Sequence, residues 1–271
     1  ILHALIYTVL TLGALLVFFP FYLTVVSSLK DMSDIFSNFF GLPRHIVFDN
    51  FAYVLQRPDY FIALKNSAII TGVAIVAMVF FLPMCAYAIS RRRFTSRFYS
   101  FLYFFMVAGI FIPFQVKMLP MVKLMSNIGL LNRTGAILFY IANSTCEGIF
   151  LLVGYLASMP TDLEEAAYID GAGFYRTFFV IVFPLAKSGL ATGAILQFLT
   201  SWNEFMFGLV LTKSTEVRTL PLALNYFTSQ FSFNYTAMFA ALTMVILPSI
   251  VIYVLLQEQV TTSMVAGSVK G

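Results

Sequence analysis

Six stretches of roughly twenty or more residues in this chain are almost purely apolar, and no other property limits its fold as much. They run from about Leu5 to Leu29, Phe61 to Ile89, Phe98 to Leu119, Thr134 to Leu156, Gly189 to Leu211 and Ala237 to Gln257. A backbone surrounded by lipid must satisfy its own N–H and C=O groups, so each stretch is expected to be a transmembrane helix. The expected fold is all-α and integral to a membrane, a single transmembrane domain over residues 1–271 with six crossings. Only 10% of the residues are charged, against about 25% in soluble proteins, which excludes a soluble reading. Pro20 and Pro113 fall inside the first and third spans.

The second span ends in Arg91-Arg92-Arg93 with Arg97 close behind, and the positive-inside rule assigns that short loop to the cytoplasm. Alternation then puts a cytoplasmic loop at 157–187, a short cytoplasmic tail at 258–271, and both termini on the same side. The connections Lys30–Tyr60, Pro120–Asn132 and Thr212–Tyr235 fall outside, the first of them lying in the interface. A bare count of Lys and Arg, seven inside against nine outside, does not choose this orientation; the density of the arginine cluster does. The chain opens at Ile1 with neither an initiator Met nor a cleavable signal pattern, so a few residues are expected to precede it. A net charge of +4 spread over loops fits topology and lipid headgroups rather than nucleic acid. Cys85 and Cys146 both lie in spans, where small buried thiols are ordinary and a disulfide is not expected.

Between spans four and five lies the polar segment Glu164–Leu185, read as helix-turn-helix. Thr161 followed by Glu164 has the spacing of a capping box, which predicts a helix starting near Asp162. Gly171 is the expected left-handed stop, and Gly171-Ala172-Gly173 a turn free of bulky side chains. A second short helix should bury Phe174, Phe178, Ile181, Val182 and Leu185 until Pro184 bends or ends it. The first arm, with Glu164, Glu165, Ala166, Ala167 and Asp170, is small enough for another protein's backbone to approach.

Charged groups at membrane depth are costly, by about 2.5 to 3.5 kcal/mol on insertion scales. Glu147 sits mid-span with Asn143 one turn earlier and Gly154 on the same side; Gln197, Thr200, Ser201 and Glu204 form a second stripe at helical spacing. Either these residues join helices to one another, or they line a watery route for a polar solute with Trp202 and Asn203 at its edge. Two acids on such a route could hold a cation or accept hydrogen bonds from sugar hydroxyls.

Catalytic apparatus is not expected. The sequence has no GxxxxGK[ST] phosphate loop, and His3 and His45 have no metal-ligand spacing to each other or to a cysteine. The chain reads as a non-enzyme that binds no cofactor or metal of its own.

The polar loop resembles the EAA loop of binding-protein-dependent ABC importer permeases, whose pattern is EAA, three residues, Gly, nine residues, Ile, one residue, Leu-Pro. Glu165, Ala166, Ala167, Gly171, Ile181 and Pro184 all fall in place, with Phe183 where the pattern has Leu. The tail Val265–Gly271, Lys65-Asn66-Ser67, Ser201-Trp202-Asn203-Glu204 and Thr219-Leu220-Pro221 are similar to the carbohydrate-uptake branch, the relatives of the smaller permease of the maltose importer.

That resemblance implies a type I importer permease in a bacterial cytoplasmic (inner) membrane, carrying di- or oligosaccharides. Its coupling helix, with Glu164 to Ala167 and Asp170 to Gly173, would sit in a cleft of a separate ATPase, two copies of which bind ATP and Mg. Glu165 would make polar contacts there, and the tail would lie along the ATPase surface. A second, homologous but non-identical permease would complete the pathway. The loop before span six, with Tyr226, Phe227, Gln230 and Phe231, would reach toward an extracytoplasmic solute-binding protein. Two alternatives stand beside this reading: a proton- or sodium-coupled secondary transporter using Glu147 and Glu204, and an ABC permease for a non-sugar solute. The two halves show no internal repeat, which many secondary transporters have.

Overall fold

The computed structural model describes residues 2–211, 217–224 and 234–268, with Leu211 and the stretch 258–268 as backbone only. Among them every regular element is helical. The first, α1 (Leu2–Ser28), keeps its large apolar side chains exposed and buries only Val26, Ser27 and Ser28. This is the pattern of a helix solvated by lipid rather than by a core. Two short helices, α2 (Met32–Ser37) and α3 (Asp49–Leu55), fill the connection to the next span. Asp31 caps α2; its carboxylate accepts from the Ser33 hydroxyl and the Asp34 N–H, both at 2.7 Å, and these donors hold it below the usual carboxylate range.

Helices α4 (Pro58–Phe80) and α5 (Leu82–Arg92) run on as one apolar span from Pro58 to Arg92. Pro83 lies in the first turn of α5, where its missing N–H costs little, so the span continues through it. The α4–α5 span packs on α8 (Arg133–Ala157) and on α12 (Lys187–Trp202), and these three form the centre of the bundle. Gly148 and Gly193 make the approach possible. A Cβ at Gly148 would run into Leu82, and one at Gly193 into Met78, so these small residues let neighbouring helices close up. Outside this centre, α6 (Arg97–Ile110) lies on α8, while α14 (Tyr235–Ser268) lies between α12 and α1.

Four helices are long and apolar enough to cross a membrane alone, and two bent pairs complete six. The bent pairs correct the expected spans. The third, expected as one helix from Phe98 to Leu119, is α6 followed by α7 (Phe114–Asn127), with axes 103° apart. Pro113 disfavours helical backbone at Ile112 and itself takes φ −57, ψ 143 as the cap of α7. Pro120, expected to open an outer connection, lies inside α7 instead. The true connection is tighter: Gly129, at φ +70, leads to Asn132, whose side-chain oxygen accepts from the Gly135 N–H and caps α8.

The fifth span is also broken. It was expected to be continuous from Gly189 to Leu211, but α12 ends at Trp202 and α13 (Met206–Leu211) follows. At its other end α12 meets the segment Phe174–Leu185 at 74°.

Candidate functional site

The polar loop is built from α9 (Asp162–Ile169), α10 (Phe174–Thr177), a π-helical turn (Phe178–Val182) and α11 (Phe183–Leu185). The start near Asp162 is as expected, but the capping box does not form. Thr161 makes no side-chain cap, its hydroxyl donating to Glu165 Oε1 at 3.2 Å instead. Glu164 does not reach back because a stronger partner takes it. Its carboxylate accepts from the Tyr87 hydroxyl at 2.7 Å and pairs with the Arg91 guanidinium, Nη2 to Oε1 at 2.5 Å. Arg91 Nη1 also donates to the Leu156 carbonyl at 2.9 Å, adding a side-chain donor to an oxygen at the end of α8 that the Met159 N–H reaches at 3.2 Å. Glu164 thus ties α9 to the end of α5, and Arg91 in turn ties that end to α8.

Gly171 stops the helix as expected, at φ +79. Its N–H donates to the Tyr168 carbonyl at 3.1 Å and that of Ala172 to the Ala167 carbonyl at 2.9 Å, the paired bonds of a Schellman turn. Beyond the turn the apolar face is displaced by one residue. Phe178 and Val182 are buried, Phe174 and Ile181 are half-buried, but Leu185 is exposed and Ala186 takes the buried position. The wider π turn advances the register, so the buried line steps by four from Phe174 to Ala186. Tyr87 lies against this line, its ring 5.1 Å from Phe174 and 5.5 Å from Phe178.

Of the loop residues singled out from sequence, Glu164 and Ala167 face inward. Glu165, Ala166, Asp170, Gly171 and Gly173 are exposed, and Ala172 is half-buried. Sequence reasoning missed Tyr87 and Arg91, which position the helix, Tyr168, which lines the groove beside them, and Leu163 and Ile169, which are exposed. Ile169 is 86% exposed, a large apolar side chain at the tip of a rigid helix. Arg91 was in view as a topology marker; only its distance in sequence hid its pairing with Glu164.

The polar residues of the spans separate into two groups. Ser144, Glu147, Gly148 and Leu151 of α8 face Gly193, Leu196, Gln197 and Thr200 of α12 across a narrow cleft of about 40 Å³, which Met78 also lines. Glu147 is exposed on this side, and no hydrogen bond or ion pair holds its carboxylate among the described residues. Gln197 is buried and donates to Ser201 Oγ at 2.6 Å. One turn before Glu147, Asn143 accepts from Lys117 Nζ at 2.6 Å.

The second group lies elsewhere. Trp202 is buried, stacked on Phe198, and its indole N–H donates to the Val245 carbonyl at 3.2 Å, joining α12 to α14. Asn203 caps the end of α12 from the exposed side. Glu204 opens α13, accepting from the Phe207 N–H at 2.9 Å and from the Tyr140 hydroxyl at 2.7 Å. Tyr140 precedes Glu147 by seven residues on α8, about 10 Å along the axis, so the two acids do not share a site.

Two further motifs meet. The Asn66 amide donates to the Arg218 carbonyl at 2.9 Å, and the Leu220 N–H donates to Ser67 Oγ at 2.8 Å. Lys65-Asn66-Ser67 and Thr219-Leu220-Pro221 are therefore the two halves of one clasp holding the segment before α14 on α4. Tyr226, Phe227, Gln230 and Phe231 lie outside the described residues.

Four spanning helices and two bent pairs, with one structured polar loop pinned across the helix ends and a small cleft between the central helices edged by Glu147, Gln197 and Thr200, define a polytopic membrane permease. More particularly, the chain belongs to the family of binding-protein-dependent transport system inner membrane components, whose family model matches residues 84–264. It is 36% identical over 268 residues to the multiple sugar-binding transport system permease protein MsmG of Streptococcus mutans, covering 97% of this chain and 96% of that protein. Similarity to the diacetylchitobiose uptake system permease protein NgcG of Streptomyces coelicolor is 32% over 265 residues, covering 97% and 87%. Among solved structures, a chain of a bacterial ABC transporter involved in import of the acidic polysaccharide alginate superposes with a TM-score of 0.81 at 26% identity, covering 95% of each chain. A second chain, from an alginate transporter in complex with an alginate pentasaccharide-bound periplasmic protein, agrees in fold at a TM-score of 0.64 and 16% identity.

Proposed function

We propose that this chain is a transmembrane subunit of an ATP-driven importer for di- or oligosaccharides, supplying half of the translocation pathway. The observation that carries the reading is the fixation of α9 by Glu164, Tyr87 and Arg91. A helix that transmits force from a partner must not swivel on its own stalk, and this one is tied to α5 through an arginine that also bonds α8. Its outer face, with Glu165, Ala166, Ile169, Asp170 and Gly171, is then the surface offered to a separate ATPase that binds ATP and Mg. The sugar assignment draws on relatives named for sugar transport.

In this reading the arginine-bearing end of the bundle is cytoplasmic, as are both termini. The partners are a second, homologous permease, two ATPase copies and an extracytoplasmic solute-binding protein. Hydrolysis belongs to the ATPase and no catalytic step to this chain. The ion-coupled alternative needs Glu147 and Glu204 on one site, whereas Glu204 is held by Tyr140 and the start of α13. A non-sugar solute would be decided by what the binding protein carries.

The test is a cysteine at Ala166 or Ile169, cross-linked in native membranes. The expected product joins this chain to an ATPase subunit, with uptake of a sugar that depends on ATP and survives an uncoupler. A chain that transports without such a partner, and stops when the proton gradient is collapsed, would overturn the reading.

A further inference from the structure

Three arginines follow one another at the end of α5, and among the described residues only the first forms an ion pair. Arg91 is taken up by Glu164 and the Leu156 carbonyl. Arg92 lies 5.8 Å over the Tyr99 ring and borders the groove shared with Thr161 and Glu165, on the side of the polar loop. Arg93 also packs on α6, one turn further along. Its guanidinium carbon is 4.6 Å from the Phe94 ring and 5.0 Å from the Tyr103 ring, held by two aromatic faces. Its Nε is buried and has no hydrogen-bond partner. Arg97 is exposed at the start of α6, and among the described residues no carboxylate pairs with Arg93 or Arg97.

The surface continuing from these two charges is apolar. Phe94, Phe98, Phe101 and Phe105 are all exposed, and Phe101 stacks on Phe105 at 6.0 Å. Phe105 is eight residues beyond Arg97, about 12 Å along the helix, the depth of the upper part of an acyl chain. A guanidinium fixed by stacking presents its outer N–H groups in the planar fork that matches a phosphate. We propose that Arg93 and Arg97 form a binding site for the headgroup phosphate of an anionic phospholipid, whose acyl chain lies along the phenylalanine face of α6. The charge selects an anion, and the continuous apolar face selects a lipid over a free phosphate.

The experiment uses the assembled transporter complex, purified in mild detergent, delipidated and titrated with phosphatidylglycerol or phosphatidylcholine while bound lipid is counted by native mass spectrometry. The wild type should retain phosphatidylglycerol in preference to phosphatidylcholine, and millimolar inorganic phosphate should not displace it. The double variant R93Q/R97Q should hold phosphatidylglycerol roughly thirtyfold more weakly, as expected for two arginines near an anionic headgroup. Tyr103→Leu keeps both charges but removes one ring beneath Arg93, so it should give a smaller loss and serves if the double variant fails to assemble. Equal retention by wild type and variants, or no preference for the anionic lipid, overturns the proposal. Displacement by inorganic phosphate reassigns the site to a free anion and overturns it too, as does loss of the ATPase subunit from R93Q/R97Q with lipid retention unchanged.

Discussion

Glu164 and Glu165 are neighbours with opposite surroundings. Glu164 is 5% exposed and accepts from Tyr87 and Arg91, whereas Glu165 is exposed and accepts from the Thr161 hydroxyl at 3.2 Å. Removing one member of a buried ion pair costs about 3 to 5 kcal/mol; since Arg91 keeps 18% of its side chain exposed, about 2 kcal/mol is the reasonable figure for Glu164→Gln. Glu165→Gln should change stability by less than about 0.5 kcal/mol, as surface substitutions do. Thermal unfolding of the two variants in the same detergent checks this: Glu164→Gln should lower Tm, and equal Tm values would mean the pin carries no load. The two membrane acids divide in the same way. Glu147→Gln should leave Tm unchanged and alter uptake through KM, because its carboxylate faces the cleft without a partner. Glu204→Ala should lower Tm, because it frees the Phe207 N–H and the Tyr140 hydroxyl. Finding the reverse order would exchange their roles.

At the scale of elements, the Gly171 stop was legible in the sequence because few residues but glycine take φ +79 without strain, and its place beyond three residues that follow Glu165-Ala166-Ala167 fixed the length of α9. Gly171→Val should cost at least about 1 to 2 kcal/mol at that φ and weaken association with the ATPase, measured by how much co-purifies. Normal recovery would show that the turn tolerates a different path. What was not legible shares a physical cause. Pro20, Pro120 and Pro248 all sit inside continuous helices whereas Pro113 stands at a 103° break, since neighbouring helices decide whether freed backbone groups are met. The π turn that exchanges Leu185 for Ala186 is likewise invisible to a periodicity of 3.6. Gln197 and Ser201 were rightly grouped as a stripe, but nothing local announced that the helix would stop at Trp202 and turn Glu204 into a cap.

For the whole molecule, the proposed mechanism requires α9, α5 and α8 to move as one body. Arg91 bonds at once to Glu164 on α9 and to the Leu156 carbonyl on α8, and Tyr87, Phe178 and Leu152 belong to one buried cluster beneath them. The rim differs: α1 buries almost nothing of its length and meets the bundle through α14. Spin labels at Glu165 and Ser158, both exposed, should therefore keep the same narrow distance distribution in the assembled complex with and without ATP. Labels at Glu165 and Thr8, which join the central body to the rim, should shift their mean distance when ATP binds. Repeating the first pair in Glu164→Gln should broaden it, because only the packing of Tyr87 then restrains α9. Should the Glu165–Ser158 distribution change with ATP in the unaltered protein, α9 would be a hinge rather than a rigid lever. Force from the ATPase would then have to reach the spans through the Phe174–Ala186 segment instead.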